Sequence, residues 1–185
     1  MAEVRRDVPS DAKKVPFTWR WRGEVLAGGP CALVDIDGVL ADGRHRQRFM
    51  ESRPRDYEAF FGAAHLDTPI VETAVLVGLM ASELAVVLVT GRPFRIRQAT
   101  RDWLEEHRFR WDLLVLRPDD DRRPTQQYKR SCLHRLWEYG FAPVLALDDE
   151  PGNVAMYRAE GVPCLYVHSG YYDAEPNPPP PGRGA

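Results

Sequence analysis

Five short apolar runs constrain this chain more than any other feature: Ala32–Ile36, Ala85–Val89, Leu113–Leu116, Val144–Leu147 and Cys164–Val167. Each is four or five residues long and rich in Val and Leu, as strands buried on both faces of a parallel sheet are. Helix-length amphipathic stretches separate them. Ile70–Glu83 sets Val71, Ala74, Val75, Leu79 and Leu84 along one stripe, and Phe94–His107 opens behind Pro93 and carries Ile96, Ala99, Trp103 and Leu104. Gln126–Gly140 carries Leu133, Leu136 and Trp137 and stops at Gly140, and Pro151–Gly161 opens on Pro and closes on Gly. Repeated strand–helix units predict an α/β fold: a doubly wound, mostly parallel Rossmann-like sheet with helices on both faces and right-handed crossovers.

A length of 185 residues predicts one domain with a sizeable core, here residues 25–173. Residues 1–24 read as an N-terminal extension in which Phe17–Arg22 alternates like a half-buried strand before Gly28-Gly29-Pro30 breaks the chain. Trp19 and Trp21 in that stretch are expected to pack on the sheet edge. Residues 174–185 end in EPNPPPPGRGA, a Pro/Gly tail that cannot bury a core. Met1–Lys14 is charged and lacks the apolar centre of a signal peptide, and no apolar run is long enough to cross a bilayer, so no membrane partner is expected. Lys plus Arg is 25 and Asp plus Glu is 27, a formal net charge of −2, which excludes a polycation of the histone type but not a local basic groove. Cys31, Cys132 and Cys164 match neither a disulfide framework nor a zinc site, which points to a reducing, cytoplasmic setting.

In open α/β sheets, ligands bind beyond the carboxyl ends of the strands, and polar residues collect there. The first run ends in Asp35-Ile36-Asp37-Gly38, the second in Thr90-Gly91-Arg92-Pro93 and the fourth in Asp148-Asp149-Glu150, while Lys129 begins the helix after the third. Asp35 and Asp37 are two residues apart, so an extended strand points both to one face. With Asp148 and Asp149 they bring four carboxylates to one edge, where a hard divalent cation would relieve their repulsion. Oxygen-only ligands select Mg²⁺. Lys129 adds compensating charge, and Thr90 with the Gly91 amide offers donors to a phosphoryl oxygen. Each motif alone is ordinary turn or cap chemistry; together, at successive strand ends, they predict a site for phosphoryl transfer, where positioning and charge neutralisation dominate.

At these residues the chain resembles the haloacid dehalogenase (HAD) superfamily of aspartate-nucleophile phosphatases, over about Ala32 to Tyr172. The likeness rests on Asp35-Ile36-Asp37-Gly38-Val39-Leu40, Val87-Leu88-Val89-Thr90-Gly91-Arg92, Lys129 and Leu147-Asp148-Asp149. The resemblance implies that Asp35 is the nucleophile that forms an aspartyl-phosphate. It makes Asp37 general acid to the leaving oxygen and then base for the hydrolytic water, which favours phosphatase over dehalogenase chemistry. It gives the phosphoryl group to Thr90 and Lys129, and Mg²⁺ to Asp35, the Asp37 carbonyl and Asp148, with Asp149 in support. Within the superfamily the chain resembles the 3′-phosphatase domain of polynucleotide kinase-phosphatases, through Phe60-Phe61, Leu116-Arg117-Pro118, Val154-Ala155-Met156-Tyr157-Arg158, Gly161-Val162-Pro163-Cys164 and Val167-His168-Ser169-Gly170-Tyr171-Tyr172. That likeness places Arg46 and Arg92 on the phosphate or its neighbour. One departure is Thr125, where an acidic residue often stands four before the motif lysine.

Arginines cluster after the nucleophile loop (Arg44, Arg46, Arg48, Arg53, Arg55), after the second motif (Arg92, Arg95, Arg97) and before Lys129 (Arg117, Arg122, Arg123). Arginine forks suit phosphates, and Phe60, Phe61 or Tyr171 could stack a base; Asp56, Glu58 and Asp119–Asp121 offset the charge. Gly43–Pro69 is too short for a large cap domain but has room for a helical flap at Asp56–Ala64, and a lightly covered site admits a strand end. The leading expectation is a Mg²⁺-dependent phosphomonoester hydrolase acting on 3′-phosphates of DNA or RNA ends. Two alternatives remain open: a phosphatase of nucleotides or other small esters, and a non-catalytic module that binds phosphate or nucleic-acid ends. The GxxxxGK[ST] phosphate loop is absent, so a 5′-kinase would be a separate protein.

Overall fold

Period-two alternation in the apolar runs sends successive side chains to opposite faces of one sheet. The computed structural model describes residues 15–173; Met1–Lys14 and the Pro-rich tail lie outside the described residues. Its strands are β1 (Trp19–Trp21), β2 (Gly29–Val34), β3 (Ala41–Asp42), β4 (Thr68–Pro69), β5 (Ala85–Pro93), β6 (Leu113–Arg117), β7 (Phe141–Asp148) and β8 (Cys164–Tyr166). Its α-helices are α1 (Arg48–Glu51), α2 (Tyr57–Gly62), α3 (Val71–Gly78), α4 (Arg97–Glu106), α5 (Thr125–Tyr139) and α6 (Pro151–Ala159). Six strands form one sheet in the order β1-β6-β5-β2-β7-β8, and β3 pairs with β4 separately. All neighbours in the large sheet are parallel except β1, which runs antiparallel to β6 at the edge. This is the doubly wound, mostly parallel α/β sheet that the strand–helix repeats predict.

The alternation divides the interior into two cores. Cys31, Leu33, Val87, Val89, Leu113 and Val115 face one side and pack with Leu133 and Leu136 of α5 and Met156 and Tyr157 of α6. Val34, Val86, Leu88, Leu114 and Leu116 face the other, against Val77 of α3 and Trp103 and Leu104 of α4. Trp19 and Trp21 do pack on the sheet edge: Trp19 is buried, its ring 5.2 Å from that of Tyr139, and Trp21 stacks on Phe141 at 6.2 Å. Residues 19–21, written above as part of an extension, are therefore a strand of the same sheet.

Local chemistry sets the helix ends. The Asp56 side chain accepts from the Ala59 amide at 2.9 Å and caps α2. Gly140, left-handed at φ 112, closes α5 with its N–H donating to the Leu136 and Trp137 carbonyls. Helix α3 departs from the stripe read in the sequence. It ends at Gly78, turns Thr73 and Val77 inward, and leaves Val71, Val75, Leu76 and Leu79 exposed. The Thr73 hydroxyl donates to the buried Val39 carbonyl and also reaches the Ile70 carbonyl at 3.2 Å, which turns that face to the sheet. Among the described residues no helix is long and apolar enough to cross a membrane.

Candidate active site

β2 lies in the middle of the sheet, with β5 on one side and β7 on the other. Asp35 follows β2 directly, and its amide donates to the Leu147 carbonyl of β7. Asp148 is the last residue of β7, with Asp149 next to it. One oxygen of each of Asp35, Asp148 and Asp149 lies within 4.8 Å of the others, and all three residues are buried. Lys129, one turn into α5 and wholly buried, donates to Asp35 Oδ2 at 2.5 Å and to Asp148 Oδ2 at 2.6 Å. Asp148 Oδ1 accepts from Asn153 Nδ2 and the Glu150 amide, both at 3.0 Å.

One ammonium does not balance three buried carboxylates. Burial pushes the Asp35 carboxyl well above the usual range; Lys129 pulls against it, while Asp148, Asp149 and Asp37 push the same way. Burial and then Asp148 raise Asp149 to about 7, against an opposing hydrogen bond from Ser169 and the charge of Lys129. Burial alone would lower the Lys129 ammonium, but Asp148 and Asp35 more than reverse it. Asp149 Oδ2 is buried with no hydrogen-bond partner. Gly38, left-handed at φ +78, makes its approach possible, since a Cβ there would stand 1.9 Å from that oxygen. An all-oxygen donor set, short of positive charge and with one orphaned oxygen, fits a hard divalent cation.

Asp37 stands in a different environment. Its Oδ1 accepts from Arg46 Nη2 at 2.5 Å and from Arg92 Nε and Nη2 at 3.0 and 2.7 Å, while its side chain keeps 24 % exposure on the cavity side. Burial would raise this carboxyl, yet the guanidiniums of Arg92 and then Arg46 hold it far below the ordinary range. Behind them lies Asp67, fully buried between α2 and β4. It accepts from Arg46 Nε at 2.7 Å, Arg46 Nη2 at 2.6 Å, Arg92 Nη2 at 2.7 Å and His45 Nε2 at 3.0 Å. Trp103 Nε1 donates to the Asp67 carbonyl at 2.8 Å.

A cavity of about 1030 Å³ opens over this edge, with Asp35, Asp37, Gly91 and Asp149 on its wall. Tyr57, Phe61, Tyr171, Tyr172 and a band of arginines including Arg55, Arg117 and Arg122 also line it. Of the residues singled out in the sequence, Asp35, Asp37, Lys129, Asp148 and Asp149 come together. Thr90 is buried in β5, its Oγ1 accepting from the Arg92 amide at 3.1 Å. Arg46 and Arg92 were expected on the substrate; the structure buries both behind Asp37, because each charge is answered by Asp37 and Asp67. The Thr125 departure leaves Lys129 oriented, since Asp35 and Asp148 hold it directly. Sequence reading assigned no role to Asp67 or Asn153. Their signal would have been the demand of two buried arginines and of the buried Asp148 carboxylate for partners, which burial alone reveals.

The model of the polynucleotide kinase PNKP phosphatase domain family matches residues 29–172. A chain of the Pnkp1/Rnl/Hen1 RNA repair complex aligns with a TM-score of 0.63 at 22 % identity, covering 80 % of this chain and 45 % of that one. A second structure of that complex gives 0.63 and 22 %, with 83 % and 50 % covered. This chain thus spans about half the length of the chains it matches there. A Lactobacillus plantarum protein described as a phosphoglycolate phosphatase aligns with a TM-score of 0.51 at 13 % identity, covering 77 % and 88 %. No curated protein matches the chain.

Proposed function

The chain belongs to the polynucleotide kinase PNKP phosphatase domain family, HAD-type hydrolases of phosphomonoesters, and from that premise we propose that it is a Mg²⁺-dependent polynucleotide 3′-phosphatase acting through an aspartyl-phosphate on Asp35. The observation that carries this reading is the convergence of Asp35, Asp148 and Asp149 with Lys129, where Asp35 and Asp149 open on the wall of a cavity far larger than a phosphate group. Asp35, Asp148 and Asp149 would hold the ion, with the Asp37 carbonyl as the family resemblance implies. Bound there, Mg²⁺ supplies positive charge that lets a carboxylate and a phosphoryl group approach each other.

The Asp35 carboxylate attacks phosphorus; an Asp35 Oδ–P bond forms as the ester P–O bond breaks. Asp37, which Arg92 and Arg46 keep ionised in the free site, takes up the proton that a phosphomonoester monoanion carries in and passes it to the departing alkoxide. It then takes a proton from the water that attacks the aspartyl-phosphate, which returns Asp35 and releases inorganic phosphate. Three donors occupy Asp37 Oδ1, so the transferable proton belongs on Oδ2. Gly91 on the cavity wall can donate its amide to a phosphoryl oxygen, and Thr90 keeps its hydroxyl proton free behind it. Lys129 holds Asp35 and Asp148 in place. Arg46 and Arg92 act through Asp37, not directly on the phosphate. The arginines of the cavity wall suit the charged backbone of a strand end. Three free, buried cysteines fit a reducing, cytoplasmic setting.

Phosphate release from a 3′-phosphorylated oligonucleotide, its 5′-phosphorylated counterpart, nucleoside monophosphates and sugar phosphates tests the reading. Faster release from the oligonucleotide 3′ end is expected; equal or faster release from monomers would make the chain a small-ester phosphatase. Asp35→Asn should lower turnover by about 10³-fold or more and abolish hydroxylamine-sensitive ³²P labelling of the protein. Mg²⁺ should raise the melting temperature of the wild type and raise it less in Asp148→Asn. Labelling that persists in Asp35→Asn would assign the nucleophile elsewhere.

A further inference from the structure

We propose that Tyr57 and Phe61 form a stacking subsite for the nucleobase of the terminal nucleotide, a proposal that rests on the nucleic-acid-end reading of the same cavity. Helix α2 carries both residues, one turn apart, so their side chains share a face. Their rings lie 6.5 Å apart with planes only 21° from parallel. Tyr57 is 49 % exposed, a large aromatic surface on the wall of a cavity whose other groups are mostly charged.

The platform is held rigidly. Phe60 lies under the buried Arg46 guanidinium at 4.2 Å, and Phe61 meets Phe60 edge-on at 5.1 Å. The Arg95 guanidinium sits 5.9 Å from the Phe61 ring and pairs with Glu58 at 3.0 Å. A six-residue helix is thereby tied to the ion network behind Asp37 on one side and to the segment after β5 on the other. Two of the other aromatic candidates, Phe60 and Tyr171, are committed elsewhere. Arg46 covers a face of Phe60, and the Tyr171 hydroxyl accepts from the Gly43 amide at 2.7 Å and donates to Asp42 at 3.2 Å.

The cavity also needs such a contact. Glu58, Asp119 and Asp121 share its wall with Arg95, Arg117 and Arg123 and pair with them. Backbone charge is therefore partly offset, and an uncharged aromatic face adds binding that salt does not screen. A cavity of about 1030 Å³ is at the upper end of what a drug-sized ligand fills, so a nucleoside fits beside the phosphate. Stacking one base on an aromatic residue is worth roughly tenfold in affinity, and it tolerates any base because each has a π-face.

The test compares two 3′-phosphorylated oligonucleotides of equal length, one ending in an ordinary nucleotide and one in an abasic deoxyribose. For the wild type, kcat/KM should favour the base-bearing end by roughly tenfold. In Tyr57→Ala that ratio should fall toward one, and in Tyr57→Phe it should persist. Each ratio is internal to one enzyme, so a misfolded fraction cancels. Equal turnover of both ends by the wild type, or a ratio unchanged in Tyr57→Ala, would overturn the subsite while leaving the 3′-phosphatase reading intact. Collapse of the ratio in Tyr57→Phe would overturn it too, because the hydroxyl and not the ring face would then carry the preference. Hydrolysis of glycerol phosphate with neither oligonucleotide turned over would remove the substrate reading and this proposal together.

Discussion

Arg46 and Arg92 are buried as completely as any leucine of the core, and a guanidinium in such a place must find carboxylates. Asp37 and Asp67 answer the two charges, with Asp67 accepting on both oxygens. Asp67→Ala would leave two buried cations facing one carboxylate, the case in which breaking a buried pair costs roughly 3–5 kcal/mol. Thermal unfolding should therefore fall by about 10 °C, at roughly 2–4 °C per kcal/mol for a chain of this size; a shift of a degree or two would mean that the arginines find other partners. The DxD pair itself was legible in the sequence, because Asp35 and Asp37 lie next to a glycine at the end of an apolar run. Asp67 was not. An aspartate between a histidine-containing turn and a Thr-Pro looks like any loop acid until the arginines are seen to be buried around it.

Helices show where periodicity is informative and where it misleads. Helix α5 and its Gly140 stop follow from the sequence, since a long apolar stripe and a glycine allow one solution. Helix α3 is short and carries apolar residues all round, so several stripes fit equally well. The hydroxyl of Thr73, bonded to the Val39 and Ile70 carbonyls, selects the face. Val77→Ala, which empties a fully buried site, should cost about 2 kcal/mol in urea unfolding. Leu79→Ser, at a side chain 79 % exposed, should stay within about 0.5 kcal/mol. Equal losses at the two positions would restore the stripe read from the sequence. The flap is the converse case: Asp56 caps α2 at the place where the sequence put a short helix, but only packing shows that Phe60 turns inward under Arg46 while Tyr57 stays out.

On the scale of the molecule, one sheet separates two apolar cores, and all three cysteines lie in the one beneath α5 and α6. Burial pushes the thiols of Cys31, Cys132 and Cys164 up to about 12, 11 and 11, so almost no thiolate exists near pH 8. The folded protein should resist alkylation by iodoacetamide at that pH and take three equivalents in denaturant; rapid labelling of the native state would contradict this packing. The succession of strands and helices along the chain, and the charged residues at the strand ends, could be read without coordinates, because apolar periodicity and turn residues act over a few positions and are written locally. Tertiary structure alone decided that Arg46 and Arg92 retreat behind Asp37, that Asp67 holds them there, and that the Tyr171 hydroxyl is tied to Gly43 and Asp42 while Tyr57 stays exposed on the cavity wall. Those outcomes depend on pairing and burial between segments far apart in the chain, and a charge reveals its partner only when the fold has removed the water that would otherwise satisfy it.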